Sequence, residues 1–377
     1  MSGCSPLKNL FFYGTLAHQP LLDLVLGRAL EPRQAVSATL ADFACHWVAD
    51  RAYPMLVKHK GAQAEGLLVR DLTGDDLARL DFYEGGFGYT LQGVSVATAT
   101  GPQRAQVYFP DQPLAKGDVW HLADWVEMWG EMTLQAADEA MRYFGQIAAQ
   151  ELAQRFGAIR RRAASFVRGQ GQGPVSAAQG RADVTVLEKR IPYSNFYAMQ
   201  EYDLRHRQFS GEMSPQMERA VFVASDAAIV LPYDPVRDCV LLVEQFRIGP
   251  YARGEQNPWA MEPVAGHVDI GEVPEQAAIR ETLEEAGVEI TELIPITQAY
   301  PSPGDSTEFF HIYLGLCDLD GAGGRTSGLV AEGEDIHSHI LSFDDFMAFV
   351  KHQANVLPLV TAAYWLAINR DRLRKDA

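Results

Sequence analysis

Charged residues recur at short intervals in the run Gly266-His267-Val268-Asp269-Ile270-Gly271-Glu272 and Arg280-Glu281-Thr282-Leu283-Glu284-Glu285-Ala286-Gly287-Val288. At about 100° per residue, a helix here puts Glu281, Glu284 and Glu285 on one side and Ile279, Leu283 and Ala286 on the other. Glu281 and Glu285 are then neighbours one turn apart, Arg280 can pair with Glu284, and Gly287 supplies a helix stop. Carboxylates packed this way repel one another by a few tenths of a kcal/mol per exposed pair. A hard divalent cation removes that penalty, because it prefers carboxylate oxygens and bridges readily to phosphate. Such an ion polarises a pyrophosphate, neutralises charge on a leaving phosphoryl group and positions an attacking water. Taken alone, an Arg-Glu-x-x-Glu-Glu cluster reads more simply as the solvated face of an amphipathic helix.

A second group of candidates lies near the other end of the chain. Tyr13-Gly14-Thr15-Leu16 follows an apolar run, and Leu80-Asp81-Phe82-Tyr83-Glu84-Gly85 precedes Tyr89. Glycine after a strand lets backbone N–H groups turn towards an anion. A glutamate held in an apolar setting, as Glu84 is between Tyr83 and Gly85, can accept a proton. The plainer readings are a common strand turn and a loop carboxylate.

The elements that must position these residues follow from length and pattern. At 377 residues the chain exceeds one ordinary core, so two domains are expected. Hydrophobic residues at 47% and charged residues at 21% fit a globular protein rather than a disordered or fibrous one. A formal net charge of -17 argues against a nucleic-acid or anionic-membrane partner and suits a protein that gathers divalent cations. Cys4, Cys45, Cys239 and Cys317 form no CxxC pair and have no histidine at metal spacing, so neither a disulfide framework nor a zinc site is expected. His267 and His311 are also off ligand spacing. Residues 1–10 lack the basic and apolar regions of a signal peptide, no run of about 18 apolar residues occurs, and the expected compartment is the cytoplasm.

Short apolar segments broken by Gly and Pro continue to about Pro113 and read as a β-rich unit with one or two helices. From Ala123 to Phe166 proline is absent, and Trp125, Met128, Trp129, Met132, Ala136, Ala140, Met141, Phe144 and Ile147 recur at helical spacing. That helical segment ends in Arg160-Arg161-Arg162, expected to be a solvated helix C-terminus. Gly169-Gln170-Gly171-Gln172-Gly173-Pro174 has a linker composition. The expected division is a first domain at 1–120, a helical connector at 121–168, a linker at 169–183 and a second domain at 184–377. Strands are expected at Val184-Thr185-Val186, from Ala227 to Pro232 and at Val240-Leu241-Leu242-Val243. Helices are expected from Glu275 to Ala286 and from about Leu357 to Arg372. This mixture indicates α+β or α/β, and no internal repeat is seen.

Gly266, Glu272, Arg280, Glu281, Glu284, Glu285, Gly287 and Val288 match the Nudix box, with Thr282 where an aliphatic residue or alanine is usual. From about 184 to 370 the sequence resembles the ADP-ribose pyrophosphatase branch of the Nudix family. Arg205-His206-Arg207, Leu231 to Asp238, Glu244-Gln245-Phe246-Arg247, Pro258-Trp259, Glu262, Ser302-Pro303-Gly304 and Glu332-Gly333-Glu334-Asp335-Ile336 carry that resemblance. It implies an α/β/α sandwich that uses Mg²⁺, or Mn²⁺ in its place, to split ADP-ribose into AMP and ribose 5-phosphate. By the resemblance, Glu281, Glu285, Glu334 and the Ala265 carbonyl are metal ligands and Glu332 is the general base. Phe196 and Arg219 grip adenine, Arg247 meets the pyrophosphate, Glu308 lines the substrate pocket, and the protein is a homodimer through this half. The plainer alternatives are a core Phe196, surface ion pairs for Arg219 and Arg247, and a solvated Glu332. The loop after Arg325, rich in Gly and Ser, is of the kind that closes over substrate.

Over roughly residues 8 to 115, the Tyr13-Gly14-Thr15-Leu16 and Glu84 motifs, with Tyr53-Pro54-Met55 and Glu65-Gly66-Leu67-Leu68, resemble the γ-glutamylcyclotransferase-like (AIG2-like) family. That implies a β-barrel with helices whose Tyr-Gly-Thr loop binds a γ-glutamyl compound. Glu84 would take a proton from the substrate amine, which then releases 5-oxoproline. Members often carry an arginine just after the tyrosine matching Tyr89, where this chain has Thr90-Leu91-Gln92. The order of the two domains resembles proteins connected with tellurite resistance. The rival functions are hydrolysis of another nucleoside diphosphate derivative, such as a nucleotide sugar, a non-catalytic ADP-ribose-binding sensor, and an inert N-terminal fold.

Overall fold

The apolar run that stops at Gly14 forms strand β1 (Lys8–Phe12) in a computed structural model that describes residues 8–171, 179–328 and 333–375. The chain divides into two compact units, Met1–Ala178 with Tyr193–Phe196, and Gln179–Pro192 with Tyr197–Ala377.

In the first unit β1 is followed by α1 (Gln19–Leu26), β2 (Ala35–Val48), β3 (Pro54–Leu72), α2 (Gly74–Glu84), β4 (Tyr89–Thr98), β5 (Gly101–Pro110) and β6 (Lys116–Val119). The sheet order is β3-β1-β5-β4-β2-β6, and β2 also pairs with β3, closing five strands into a barrel without free edges. Phe11, Leu40, Leu56, Leu68, Val96 and Val107 fill it. Gly66 on β3 permits the closure, because a Cβ there would lie 2.4 Å from the Phe12 carbonyl oxygen.

Helices α3 (Leu122–Trp125), α4 (Glu131–Met141) and α5 (Ala149–Gln170) follow. The continuous helical face expected from Trp125 to Ile147 is broken twice. A π-helical turn over Val126–Gly130 adds a residue to the turn and rotates α4 relative to α3, so Trp125 and Met132 are buried while Met128 is exposed. A second break, with Gly145 at φ 78°, separates α4 from α5. The arginine triplet is corrected as well, for α5 runs on to Gln170 and leaves it mid-helix. Arg162 is buried, paired with Glu139, and donates to Ser194 Oγ and to the carbonyls of Asn195 (3.0 Å) and Phe196 (2.8 Å). A guanidinium tolerates burial when its donors are met in this way. Arg161 lies over the Phe196 ring, 5.4 Å from its centre.

The second unit opens with a three-stranded sheet, β7 (Val184–Ser194), β8 (Ala198–His206) and β9 (Met217–Val223). Then come β10 (Ala227–Asp234), β11 (Cys239–Phe246), α6 (Ile248–Arg253), β12 (Trp259–Glu262), β13 (Val264–His267) and α7 (Pro274–Ala286). The chain continues through β14 (Glu292–Ala299), β15 (Phe310–Leu316), β16 (Thr326–Ser327), β17 (Ile336–Ser342), α8 (Phe343–His352) and α9 (Leu357–Lys375). These strands form a mixed sheet in the order β14-β15-β10-β11-β17-β16, with β12 on β11, β13 on β10, and β10 and β15 parallel. Alternate residues of β10 serve opposite faces. Ile229, Leu231 and Tyr233 pack with Phe346, Leu359 and Leu366 of α8 and α9, whereas Ala228 and Val230 pack with Ala277 and Ala278 of α7. The result is an α/β/α sandwich. Among the described residues no helix is long and apolar enough to cross a membrane.

Candidate active site

Helix α7 begins where the Val273 N–H donates to the Gln276 side chain (3.1 Å) with Pro274 in the first turn, and it ends at Gly287, φ 64°. Its buried side is not the one that apolar periodicity selects. Ile279 and Leu283 are 47% and 53% exposed, while Glu285 is 2% exposed and Ala277, Ala278 and Thr282 are fully covered. Two alanines allow α7 to lie close to β10 and β13, and the carboxylates follow them inward. Thr282 fits because its hydroxyl donates to the Ala278 carbonyl one turn back, at 2.7 Å.

The approach to β13 is closest at Gly266, where a Cβ would lie 1.9 Å from the Glu281 carboxyl carbon. An alanine there would force that carboxyl group out of its place and away from Arg280. Gly266→Ala should therefore lower stability by about 1–3 kcal/mol through overpacking. A urea midpoint equal to that of the wild type would show instead that Glu281 moves aside without strain.

Arg280 holds the cluster in place. It donates to Glu272 (2.9 and 3.0 Å), Glu281 (2.6 Å), Glu284 (3.1 Å) and the His267 carbonyl (3.2 Å). Glu285 accepts from the Ala265 N–H at 3.2 Å. Burial pushes the Glu281 carboxyl up to about 7, with Arg280 opposing and Glu284 and Glu334 adding to the rise. Burial pushes Glu285 to about 8, opposed by the Ala265 N–H and raised further by Glu281 and Glu334. Glu281, Glu285 and Glu334 therefore lie within one another's electrostatic reach. As placed, no three acidic, histidine or cysteine side chains among the described residues are arranged to hold one ion together. The donor set nevertheless suits a hard divalent cation: carboxylate oxygens, partly stripped of water and mutually repelling.

Arg247 stands beside this cluster. It pairs with Glu262 at 2.7 Å, and its charge also reaches Glu285 and Glu308, whose carboxyl is raised by burial. Ser327 donates to the Glu285 carbonyl, and a Cβ on Gly328 would lie 2.7 Å from that of Glu334. Glu332 lies outside the described residues. Arg219 is exposed on β9 and donates to the Glu218 carbonyl at 2.8 Å, and Phe196 falls in the first unit under Arg161. Neither His267 nor His311 joins the cluster. His267 meets Ser225 at 2.9 Å, and buried His311 meets Asp226 at 3.3 Å.

In the first unit a cavity of about 240 Å³ is lined by Tyr13, Gly14, Thr15 and Leu16, by Tyr83, Glu84 and Tyr89, and by residues of the later helices. Glu84 ends α2, and burial pushes its carboxyl up to about 7 from 4.5. The folded state thus holds this proton more tightly than the unfolded chain. Its contribution to stability is complete below pH 4.5 and is lost as pH rises through about 7. Glu84→Gln should be more stable than wild type by on the order of 2–3 kcal/mol near pH 8 and equal to it at low pH. A difference in urea unfolding that stays flat between those limits would contradict the burial of the charge.

Residues 224–360 match the family model for the NUDIX domain. Over 198 residues, 52% of this chain, the sequence is 36% identical to the ADP-ribose pyrophosphatase of Escherichia coli strain K12, 94% of which is covered. The chain belongs to the Nudix family. The ADP-ribose pyrophosphatase of Haemophilus influenzae is 32% identical over 197 residues, 52% of this chain and 90% of that protein. The GDP-mannose pyrophosphatase of Salmonella paratyphi B is 32% identical over 133 residues, 35% of this chain and 68% of that protein. Residues 10–127 match the family model for gamma-glutamyl cyclotransferase, AIG2-like. This Nudix protein therefore carries a second domain whose cavity is completed from beyond the matched stretch, by Thr133 of α4 and by Phe156 and Arg160 of α5. Sequence reasoning missed these lining residues. Phe156 and Arg160, four residues apart and so on one helix face, were the available signal.

Proposed function

We propose that the Nudix half is an ADP-ribose pyrophosphatase, acting with Mg²⁺ or Mn²⁺ as a homodimer in the cytoplasm. The observation that carries this reading is that Glu281, Glu285 and Glu334 lie within electrostatic reach of one another, with Arg247 acting on Glu285, in a half that resembles two ADP-ribose pyrophosphatases over almost their whole length. Glu281, Glu285, Glu334 and the Ala265 carbonyl would hold the metal, which when bound supplies charge neutralisation at the pyrophosphate. Glu332 takes the proton of the attacking water. Arg247 meets the pyrophosphate, Glu308 lines the pocket, and Phe196 and Arg219 serve the adenine. The purified chain with Mg²⁺ should convert ADP-ribose to equal amounts of AMP and ribose 5-phosphate, with a higher kcat/KM than for GDP-mannose or other nucleotide sugars. A higher kcat/KM for a nucleotide sugar would move the assignment to that class. Tight binding of ADP-ribose without turnover would make the protein a sensor.

The first-unit cavity supports a second activity, cyclisation of a γ-glutamyl amine. Glu84, whose proton affinity burial has raised, takes a proton from the substrate ammonium. The freed nitrogen attacks its own γ-carbonyl, the C–N bond to the amine breaks, and the amine leaves with a proton as 5-oxoproline forms.

A further inference from the structure

We infer that Arg160 of α5 binds a ligand carboxylate in the first-unit cavity, which therefore selects a small zwitterion whose ammonium faces Glu84. The inference rests on the second activity proposed above and names the residue that sets its substrate class. Among the described residues, Arg160 and Glu84 are the only charged ones lining the cavity; the remainder are aromatic, aliphatic, hydroxyl-bearing or glycine. They do not neutralise each other, since burial and not an ion pair governs Glu84, and burial is also the chief influence on Arg160, with Glu84 absent from the groups that act on it. Arg161 stacks on Phe196 and Arg162 is met by Glu139, Ser194 and two carbonyls. By contrast, no hydrogen bond or ion pair engages Arg160 among the described residues.

A partly buried guanidinium without an acceptor carries a desolvation cost that a ligand carboxylate offsets, and its planar fork of donors matches a carboxylate in two-point fashion. Its position is fixed by the packing of α5. Gly86, just after Glu84, lets the Ala149 carbonyl at the start of α5 come within 2.4 Å of where a Cβ would be. Phe156, one turn before Arg160, meets Tyr83 edge-on at 5.9 Å. The strand after Tyr89 offers Thr90, Leu91 and Gln92 and no cation. The connector helix supplies what that strand lacks. A cavity of about 240 Å³ is small beside the roughly 300–1,000 Å³ of sites for drug-sized ligands, and so fits an amino-acid-sized occupant.

The test uses the full-length chain and two probes that differ only in the carboxylate, 5-oxoproline and 2-pyrrolidinone. Wild type should bind 5-oxoproline at least about tenfold more tightly. Arg160→Gln should weaken 5-oxoproline at least about tenfold and leave 2-pyrrolidinone unchanged, and Arg160→Lys should restore part of the difference; an electrostatic contact of this kind is worth about one factor of ten or more. Equal binding of the two probes by wild type, or binding of neither, overturns the inference without any variant. Unchanged preference in Arg160→Gln overturns it as well. Turnover of γ-glutamyl dipeptides separates the two readings. Carboxylate-dependent binding without turnover removes the cyclase and keeps Arg160, whereas turnover at wild-type KM in Arg160→Gln keeps the cyclase and removes Arg160. Unaltered ADP-ribose hydrolysis and thermal midpoint control for the fold of each variant.

Discussion

Glu285→Gln is expected to lower Mg²⁺-dependent hydrolysis by about 10³-fold or more, because losing one charged ligand removes roughly 4 kcal/mol of transition-state stabilisation. The same substitution should leave the metal-free fold intact and somewhat more stable near neutral pH. Glu285 is 2% exposed and lies within reach of Glu281 and Glu334, so on folding near neutral pH its carboxyl must either take up a proton or hold its charge against both burial and repulsion. A neutral amide removes both costs, and its carbonyl oxygen can still accept from the Ala265 N–H. Loss of activity with gain of stability separates a ligand from a merely structural carboxylate, whose removal would lower both. Wild-type turnover at saturating Mg²⁺ would end the assignment of Glu285 as a ligand.

Glu332→Gln is expected to reduce kcat by about 10²–10⁴ with little change in substrate affinity, the pattern for losing a general base. Described residues before and after it in the sequence act at the carboxylate cluster. Ser327 donates to the Glu285 carbonyl on one side, and Glu334 acts on Glu281 and Glu285 on the other. Glu334→Gln should instead raise the Mg²⁺ concentration needed for half-maximal rate while kcat at saturation stays closer to wild type. An active Glu332→Gln paired with a dead Glu334→Gln would show that the two residues hold each other's roles.

The carboxylate helix was legible because its signals are local. Glu281, Glu285 and Gly287 lie within two turns, and a helix that ends at glycine carries them wherever it packs. The face on which it packs was not local. Periodicity weighs Ile279 and Leu283 by hydrophobicity, but close approach to β13 is set by the small Ala277, Ala278 and Gly266, so the bulky pair remains outside. In the first unit, a β-rich character was legible from apolar segments broken by Gly and Pro. The barrel followed only from the resemblance to the γ-glutamylcyclotransferase-like family, because strand closure depends on pairings distant in sequence, such as β1 with β5. Met128 escapes the pattern because counting at 3.6 residues per turn assumes a uniform helix, and the π-helical turn at Val126–Gly130 breaks that assumption. The arginine triplet departs from expectation for a related reason. Charge suggests solvent, whereas Glu139 and Ser194, distant in sequence, are what allow Arg162 to be buried.

The residence of Tyr193–Phe196 in the first unit means that neither half of this protein is an uninterrupted stretch of gene. A fragment that stops in the glycine-rich stretch near residue 171 would deprive Arg162 of Ser194 Oγ and of two carbonyl acceptors, and Arg155 of the Ser194 carbonyl. A fragment extended to Phe196 would regain them but carry β7 away from its neighbour β8. No single cut therefore yields both halves whole. An exchange of either domain between proteins would have to move that four-residue hairpin tip with the barrel and leave its strands behind.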